Sequence, residues 1–514
     1  MWAKLKIDWE ASGGQLREPS GAIPEHGYTR ESSLGRAARG ALLALPLILY
    51  LAVPTRNFYW DGVAFAVNIE KHLPFGSLVH PSHLLYAPWG AWLFWIVEAL
   101  GIHTRALFVL QAANGVLAGL CLILLYRSLR RRNAPAGLAL AGVFLFAFSA
   151  TWWKFAIDAN AYIPSILLLV CADLFLERGR PAVASGLAHA GAMLFHELAI
   201  LFLPVALFRL RNSRRSMATY LAAAFLPVVP AYVVAYRAAL REAMTTGGLL
   251  EWITSHSSDS GFSFALGTNA VLTARGTARL LFGGRLGDFV GDPLALAART
   301  FLALAAIVFA VCVWRATREA AASRLPRLPL YAALWAAIYI TFLFFWMPTN
   351  TFYRLFYLPP LVMVVVGMLR PTARTRDALW AFAAVLLLWN FSFAVYPQSR
   401  SEYNVPLRFA LAQGEKWPGG TRILFRRFHP DLWIISYFNQ QVAWIGFEEL
   451  NVAQLDANLE YVRSEGKRLW IEETAYELVT ADPAGQRWLA AHERRDELLD
   501  FRDAKHRFTF HSVR

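Results

Sequence analysis

The chain has 514 residues, of which 57% are hydrophobic and 17% charged, with a mean hydropathy of +0.38. Soluble domains are roughly a quarter charged, so this composition excludes an ordinary soluble enzyme. Residues 397–514 hold 16 basic and 17 acidic groups, so the net charge of +14 comes entirely from residues 1–396, beside apolar runs that recur to Tyr396. Nucleic-acid binding is therefore not indicated, and we predict a polytopic membrane protein with one soluble appendage.

The first 36 residues are polar, and we expect domain 1–36 to be a cytoplasmic tail rather than a cleaved signal peptide. Residues 37–396 contain apolar runs of membrane-spanning length and form the predicted transmembrane domain. Nine spans are predicted at 37–54, 105–126, 135–153, 160–176, 217–236, 296–314, 328–347, 354–369 and 378–395.

Two further segments, 84–101 and 181–210, are ambiguous, and charge asymmetry decides them. Seventeen Arg and two Glu occupy five short connections, at 127–133, 177–181, 209–216, 315–327 and 370–376. Short Arg-rich loops stay in the cytoplasm. All five do so only if 84–101 lies in the membrane interface and 181–210 crosses twice as a hairpin of short helices. This arrangement predicts eleven crossings with the C-terminus outside. The alternative is that 84–101 and 181–210 are two ordinary spans.

The two exceptional segments have physical support. Segment 84–101 carries three Trp at helical spacing, which favours an interfacial helix in the outer leaflet. Segment 181–210 carries His196-Glu197 at its middle, where a hairpin tip near water would tolerate them. The outer segment 238–295 is rich in Gly and Ser and predicts a mobile flap.

Residues 397–514 form the third predicted domain, outside the membrane. Short apolar runs predict strands at 421–425, 442–445, 469–471 and 507–513, and helical patterns occupy 403–413, 451–464 and 484–495. This alternation indicates a small α/β domain.

Polar side chains collect on the predicted outer face. Asp61 follows the first span among aromatic residues, where partial desolvation would suit a general base; a helix N-cap is the alternative. Asp158 and Asn160 lie where the chain turns back into the membrane, and a solvated loop with Trp152 and Trp153 as interfacial anchors is the alternative there.

The remaining clusters are the hairpin tip and a later outer loop. His196-Glu197 can serve the site or form a hydrated turn. Arg354 is the lone basic residue of its outer loop, suited to phosphate oxygens or to anchoring a helix end. Because ionisable groups gather at the outer face rather than at mid-span, the pattern favours chemistry at the membrane boundary over transport.

The first predicted span is followed by a long outer loop that has an Asp near its start, His80-Pro81 and an aromatic interfacial helix. This arrangement resembles the GT-C glycosyltransferase superfamily. Protein O-mannosyltransferases and aminoarabinose transferases belong to it. The resemblance implies an all-α polytopic GT-C-like fold over roughly residues 37–370 and transfer of a sugar from a polyprenyl-phosphate-linked donor. The sequence departs from the commoner family pattern at Gly62, Ser82 and Asp158, which stand where Glu, Pro and Glu are usual.

The resemblance also implies site residues. Asp61 would activate the acceptor, and Asp158 would be the second acidic, catalytic position. Residues implied in substrate binding are His80, His83, Tyr86, Asn160, Tyr162, His196, Glu197, Asn350, Tyr353 and Arg354. No cofactor is certain, and a divalent metal, which some GT-C enzymes bind, is left unassigned because few acids cluster.

The predicted function is a membrane glycosyltransferase of the bacterial inner membrane, with the C-terminal domain in the periplasm. Its partners would be membrane lipid, a polyprenyl-phosphate-linked sugar and an envelope acceptor that is a protein, lipid or glycan. A transporter or flippase for a lipid or glycan, or a non-catalytic envelope assembly protein, are the competing hypotheses.

Overall fold

The protein was analysed as a computed structural model, which describes residues 36–176, 181–240, 245–254, 261–284, 329–414, 416–502 and 507–514, with single positions between 300 and 314. The predicted fold class is confirmed: a large apolar helical part precedes a small C-terminal part built on a sheet. The predicted tail 1–36, apart from Arg36, and most of the predicted span 296–314 lie outside the described residues.

Apolar runs fold into helices because only a helix or a closed barrel satisfies its own backbone polar groups in lipid. The helices before the C-terminal part are α1 (Arg36–Ala52), α2 (Trp60–Glu70), α3 (Phe75–Leu78), α4 (Tyr86–Ala99), α5 (Ala106–Arg131), α6 (Ala136–Ala147), α7 (Ala150–Ala156), α8 (Tyr162–Phe175), α9 (Ala182–Phe195), α10 (Leu203–Leu210), α11 (Arg214–Phe225), α12 (Val228–Leu240), α13 (Thr246–Thr254), α14 (Leu266–Leu281), α15 (Leu330–Trp346), α16 (Leu358–Met368), α17 (Ala373–Asn390) and α18 (Tyr396–Ser399). Short 3₁₀ turns occupy Pro81–His83, Glu197–Phe202 and Tyr353–Tyr357.

Within the described residues, three helical segments are long and apolar enough to cross a membrane: Ala106–Arg131, Arg214–Leu240 and Ala373–Ser399. The pair α6 and α7 passes the same test together but is bent by 71°. The predicted span 135–153 is therefore broken, because Ser149 adopts an extended backbone between the two helices. Several other predicted spans are shorter apolar helices, and the number of crossings stays a prediction.

Segment 181–210 consists of α9, a break at His196, a 3₁₀ turn and α10. The far end of α10 returns to the end of α8, where Arg209 Nη1 lies 2.7 Å from Asp173 Oδ1. Arg132, at the end of α5, contacts the other oxygen of the same carboxylate at 2.7 Å. Since α9 begins directly after α8, both ends of the segment lie near Asp173, as expected for a hairpin with His196 at its tip.

The predicted outer segments also contain helices. The predicted interfacial helix is α4, whose Trp92 and Trp95 are exposed. Part of the predicted flap is the 16-residue helix α14, and the Thr151 hydroxyl of α7 donates to the Arg279 carbonyl in it at 3.2 Å. The Gly- and Ser-rich composition thus did not prevent helix formation, because α14 packs against neighbouring helices.

The C-terminal part has a five-stranded sheet in the order β2-β1-β3-β5-β4. Its strands are β1 (Arg422–Phe425), β2 (Ala443–Gly446), β3 (Leu469–Glu472), β4 (Glu493–Arg502) and β5 (Arg507–Val513), and its helices are α19 (Val405–Ala412), α20 (Pro430–Phe438), α21 (Val452–Ser464), α22 (Glu473–Ala481) and α23 (Pro483–His492). Strand β1 is parallel to β2 and β3, and β5 is antiparallel to β3 and β4.

The sequence placed four of the five strands to within about one residue of the observed ends. The predicted helix 484–495 instead ends at His492, and β4 begins at Glu493. The prediction of helix at residues 493–495 was wrong because these residues belong to β4. Strand β4 forms by pairing with β5, and a local helical pattern does not reveal that pairing.

Candidate active site

The candidate site forms where the start of α2 meets the turn between α7 and α8. The carboxylate of Asp158 accepts the backbone N–H of Tyr59 at 2.9 Å and that of Ala159 at 2.8 Å. Asp158 is 1% exposed. Since Tyr59 precedes Asp61 by two residues, Asp158 fixes the backbone that carries Asp61.

Two amide side chains shape the turn that contains Asp158. Asn114 of α5 donates from Nδ2 to the carbonyls of Asp158 and Asn160, at 2.8 and 2.9 Å. Asn160 Oδ1 accepts the N–H of Tyr162 at 3.1 Å, and its Nδ2 donates to the Phe155 carbonyl at 2.6 Å. Asn160 therefore stabilises the start of α8 and the turn before it. Its side-chain amide is occupied by these structural hydrogen bonds.

Gly62 lets α2 approach this turn closely. A Cβ atom at Gly62 would lie 2.3 Å from the Ala159 carbonyl oxygen and 2.8 Å from the Ala159 Cβ. A Glu side chain, common at this position in the resembled family, therefore has no room here. The departure at Gly62 is explained by packing.

Tyr162 is the centre of an aromatic and imidazole cluster. Its hydroxyl lies 3.3 Å from that of Tyr59. Its ring centroid lies 4.8 Å from His196, 6.0 Å from His83 and 5.9 Å from Tyr353. Residues from four other segments thus meet around the Tyr162 phenol.

The imidazole of His83 lies between close ring contacts with His80 and His196. Ring centroids are 5.5 Å apart for His80 and His83, and 4.7 Å apart for His83 and His196. His196 Nδ1 accepts the Leu198 N–H at 3.2 Å. Its Nε2 is buried and has no hydrogen-bond partner among the residues that the structure describes, so this nitrogen can still bind a ligand oxygen.

The donor set does not form an evident metal site. Within the described parts of the chain, no group of three His, Cys, Asp or Glu side chains is arranged to hold a metal ion.

Burial raises the proton affinity of both acidic side chains. The pKa of Asp61 is raised to about 7 by burial, which outweighs the opposing hydrogen bond from the Tyr59 phenol. The pKa of Asp158 is also raised to about 7 by burial, against the opposing charge of Lys154 and the hydrogen bonds from two backbone N–H groups. A carboxyl with a pKa near neutrality suits proton transfer at physiological pH.

Arg354 follows Tyr353 of the cluster in the chain, and two of its guanidinium nitrogens are occupied by hydrogen bonds. Nη1 donates to the Tyr357 hydroxyl at 2.9 Å, and Nη2 donates to the Pro348 carbonyl at 2.7 Å. The guanidinium is 1% exposed and packs so closely on Gly276 of α14 that a Cβ there would overlap it. Its Nε has no hydrogen-bond partner in the described chain, which leaves one buried donor.

The structure brings most predicted site residues together. Asp61, Asp158, His80, His83, Tyr162, His196 and Tyr353 are linked by the contacts above. The phenol of Tyr86 lies beside Asn160 and feels the charge of Asp158, and Glu197 hydrogen-bonds Ser82 at the edge of the cluster. Asn350 instead accepts the Tyr353 N–H at 3.0 Å and holds its own loop. Trp152 and Trp153, which the alternative placed at the membrane interface, are fully buried.

Sequence reasoning missed Tyr59 and Asn114. Tyr59 had no signal that set it apart from the aromatic residues around it. Asn114 had one, since an amide within an apolar span needs a partner and therefore indicates a buried polar contact.

No protein-family model and no curated protein matches the sequence. The structure of ArnT from Cupriavidus metallidurans bound to undecaprenyl phosphate resembles the chain with a TM-score of 0.54 at 12% identity, covering 92% of this chain and 97% of that one. ArnT in the apo state gives 0.42 at 13% identity, covering 92% and 97%. The Archaeoglobus fulgidus oligosaccharyltransferase, in complex with Zn and sulfate, gives 0.44 at 12% identity, covering 91% and 72%. At 12% identity the likeness shows the fold alone, so the chain shares the fold of the ArnT structure that gives a TM-score of 0.54.

Proposed function

We propose that this protein is a membrane glycosyltransferase that moves a sugar from a polyprenyl-phosphate-linked donor to an acceptor hydroxyl on the periplasmic face of the bacterial inner membrane. The observation that carries the proposal is the position of Asp61. It lies at the start of α2, has a pKa raised to about 7 and adjoins a hydrogen-bonded pair of phenols. The acceptor is an envelope protein, lipid or glycan.

In this proposal Asp61 is the general base. The acceptor oxygen attacks the anomeric carbon as its proton passes to Asp61, the bond from that carbon to the phosphate oxygen breaks, and polyprenyl phosphate leaves. In-line attack inverts the anomeric centre. Asp158 acts through the backbone, since both of its oxygens accept N–H groups and one of these belongs to Tyr59.

The leaving phosphate needs fixed donors for its developing charge. His196 Nε2 is a buried donor without a hydrogen-bond partner in the described chain, and the His196 ring lies 5.7 Å from that of Tyr353. The likeness to ArnT bound to undecaprenyl phosphate supports a polyprenyl-phosphate ligand for this chain as well. No step of the proposed reaction requires a metal.

The orientation in the membrane is part of the proposal. Asp173, near the end of α8, binds two arginines from the Arg-rich connections, whereas Tyr162 starts the same helix. Eleven residues along a helix correspond to about 16 Å, so the candidate site and the arginines lie toward opposite ends of α8. The positive-inside tendency therefore supports an outer position for the site.

The test compares the wild type with Asp61→Asn in cells that lack the gene, by mass spectrometry of envelope glycans and glycoproteins. We expect the wild type to restore a sugar modification and Asp61→Asn to restore none at equal expression. Asp377→Asn is the matched control because its side chain is 64% exposed. A flippase would instead change the distribution of a lipid-linked sugar without transfer, and an assembly protein would tolerate Asp61→Asn; either result contradicts the proposal.

A further inference from the structure

Helix α2, which carries Asp61, ends in a carboxylate bound by residues of the C-terminal domain. Glu70 Oε1 accepts the Tyr437 hydroxyl at 2.6 Å and the Ala106 N–H at 2.8 Å. Its Oε2 accepts Gln440 Nε2 at 2.8 Å, and Arg105 Nε lies 3.0 Å from both oxygens. We call Glu70, Arg105, Tyr437 and Gln440 the Glu70 anchor.

The anchor is a well-satisfied, partly buried ion pair. The Glu70 side chain is 12% exposed, and its oxygens accept from one cation and three neutral donors. Arg105 also donates to the Tyr437 carbonyl at 2.7 Å, and its guanidinium lies 4.1 Å from the Tyr437 ring centroid. Hydrogen bonds to a charged group are about twice as strong as neutral ones, so these contacts hold α20 firmly against the end of α2.

The chain before α2 is bound by the same C-terminal region. The Gln398 carbonyl accepts the N–H groups of Arg56 and Asn57, at 2.6 and 3.2 Å. The Asn404 side-chain amide donates to the Arg56 carbonyl. Residues 398–404 therefore hold the approach to α2, while α20 holds its end.

Apolar packing joins these two attachments. Val63 and Ala66 of α2 share one buried cluster with Leu407, Ile434 and Tyr437 of the C-terminal domain. The Phe58 ring, three residues before Asp61, lies 5.8 Å from the Phe438 ring. Thus the C-terminal domain contacts α2 before, along and beyond the position of Asp61.

We infer that the C-terminal domain is a positioning element of the active site, which sets the location of Asp61 by clamping α2 at both ends. The inference rests on the proposed function for the role of Asp61. An 11-residue helix is about 16 Å long, so a tilt introduced at Glu70 is transmitted to Asp61 as a rigid-body movement. Tyr437 and Gln440 are then positioning residues, since they act on the reaction only through α2.

The test uses the full-length protein with Tyr437→Phe and Gln440→Ala combined, which removes the two hydrogen bonds that side chains of the C-terminal domain donate to Glu70. The control combines Tyr461→Phe and Gln454→Ala, the same substitutions on α21, away from α2. The first measurement is amide hydrogen exchange of α2. We expect exchange at residues 62–69 to rise at least about tenfold in the anchor variant, since a hydrogen bond to a charged group is worth roughly that factor or more. It should not change in the control.

The second measurement is transfer as a function of pH and donor concentration. We expect kcat to fall at least about tenfold with KM for the donor unchanged, since a misplaced base slows the chemical step without altering donor binding. The acid limb of the pH–rate profile should move to lower pH, because a displaced Asp61 is less buried and its pKa is then raised less. A merely structural role would lower the amount of folded enzyme and leave the pH profile unchanged.

Unchanged α2 exchange in the anchor variant would overturn the inference, as would an unchanged kcat in an otherwise active enzyme. If strands β1 and β3 also lose protection, Gln440→Ala alone replaces the double variant and is judged by the same criteria. If the wild type transfers no sugar, the proposed function fails, whereas the exchange measurement still decides whether the C-terminal domain positions α2.

Discussion

Gly62→Ala tests the contact between α2 and the turn that holds Asp158. The added Cβ would lie 2.3 Å from the Ala159 carbonyl oxygen, whereas ordinary contact begins at 3.4 Å. The overlapping atoms are the added Cβ and a backbone oxygen, so no side-chain rotation can relieve the overlap. The helix or the turn must therefore move by about 1 Å, the difference between these two distances.

The size of the effect follows from this displacement. A misplacement of about 1 Å can reduce a positioned reaction by about 100-fold, and we expect kcat of Gly62→Ala to fall by that order. Overpacking costs about 1–3 kcal/mol, while replacing Gly by Ala in a helix returns about 1 kcal/mol. The free energy of unfolding should accordingly fall by no more than about 2 kcal/mol.

The assay is sugar transfer together with thermal unfolding of the purified protein. Gly267→Ala is the matched control, since Gly267 lies near the start of helix α14 and an added Cβ there meets no atom within 4 Å. It should keep wild-type transfer. If Gly62→Ala retains transfer within about threefold of the wild type while still folded, the close approach of α2 does not position Asp61, and the reasoning fails.

Three further predictions concern the pH dependence of transfer, the pH dependence of stability and a buried ion pair. The pKa of Asp61 is raised to about 7, so transfer should fall as pH drops through about 7, and a pH–rate profile that is flat from pH 5 to 8 would contradict its role as base. Because the raised pKa values favour the protonated carboxyls in the folded state, the stability contributed by Asp61 and Asp158 should be complete below about pH 4 and lost as pH rises through about 7, which unfolding at a series of pH values measures. Asp173→Asn should lower the free energy of unfolding by about 3 kcal/mol or more, because it leaves two arginines without their partly buried partner. Asp377→Asn, in an exposed pair, should cost less than about 1 kcal/mol, and equal losses would show that the Asp173 contacts contribute little.

The candidate site was predictable in part, because some of its residues are marked by the sequence immediately around them. Asp61, Asp158 and His196 each follow or interrupt an apolar run, so their place at a helix end was evident from the sequence. Their tasks were not. Asp158 binds the Tyr59 backbone, a contact 99 residues away in the chain, and no pattern near either residue encodes that pairing.

Arg354 and Asn350 show the same limit. Charge bias singled out Arg354, but its hydrogen bonds to Tyr357 and Pro348 and its packing on Gly276 depend on how α14 meets the later outer loop. Asn350 was grouped with the site by position, whereas its side chain bonds the Tyr353 N–H three residues on. Side-chain direction is decided by neighbours in space, which the sequence does not order.

The sequence by itself predicted the fold class, most strands of the C-terminal sheet and the helix ends at which polar groups gather. These follow from hydrophobic runs, charge asymmetry and residue periodicity, which act over short stretches of chain. The tertiary structure alone decided that Tyr162 is the centre of the cluster, that Gly62 must be small, and that Glu70 joins α2 to the C-terminal domain. Those features are contacts between segments up to 370 residues apart, and they exist only once the helices have packed.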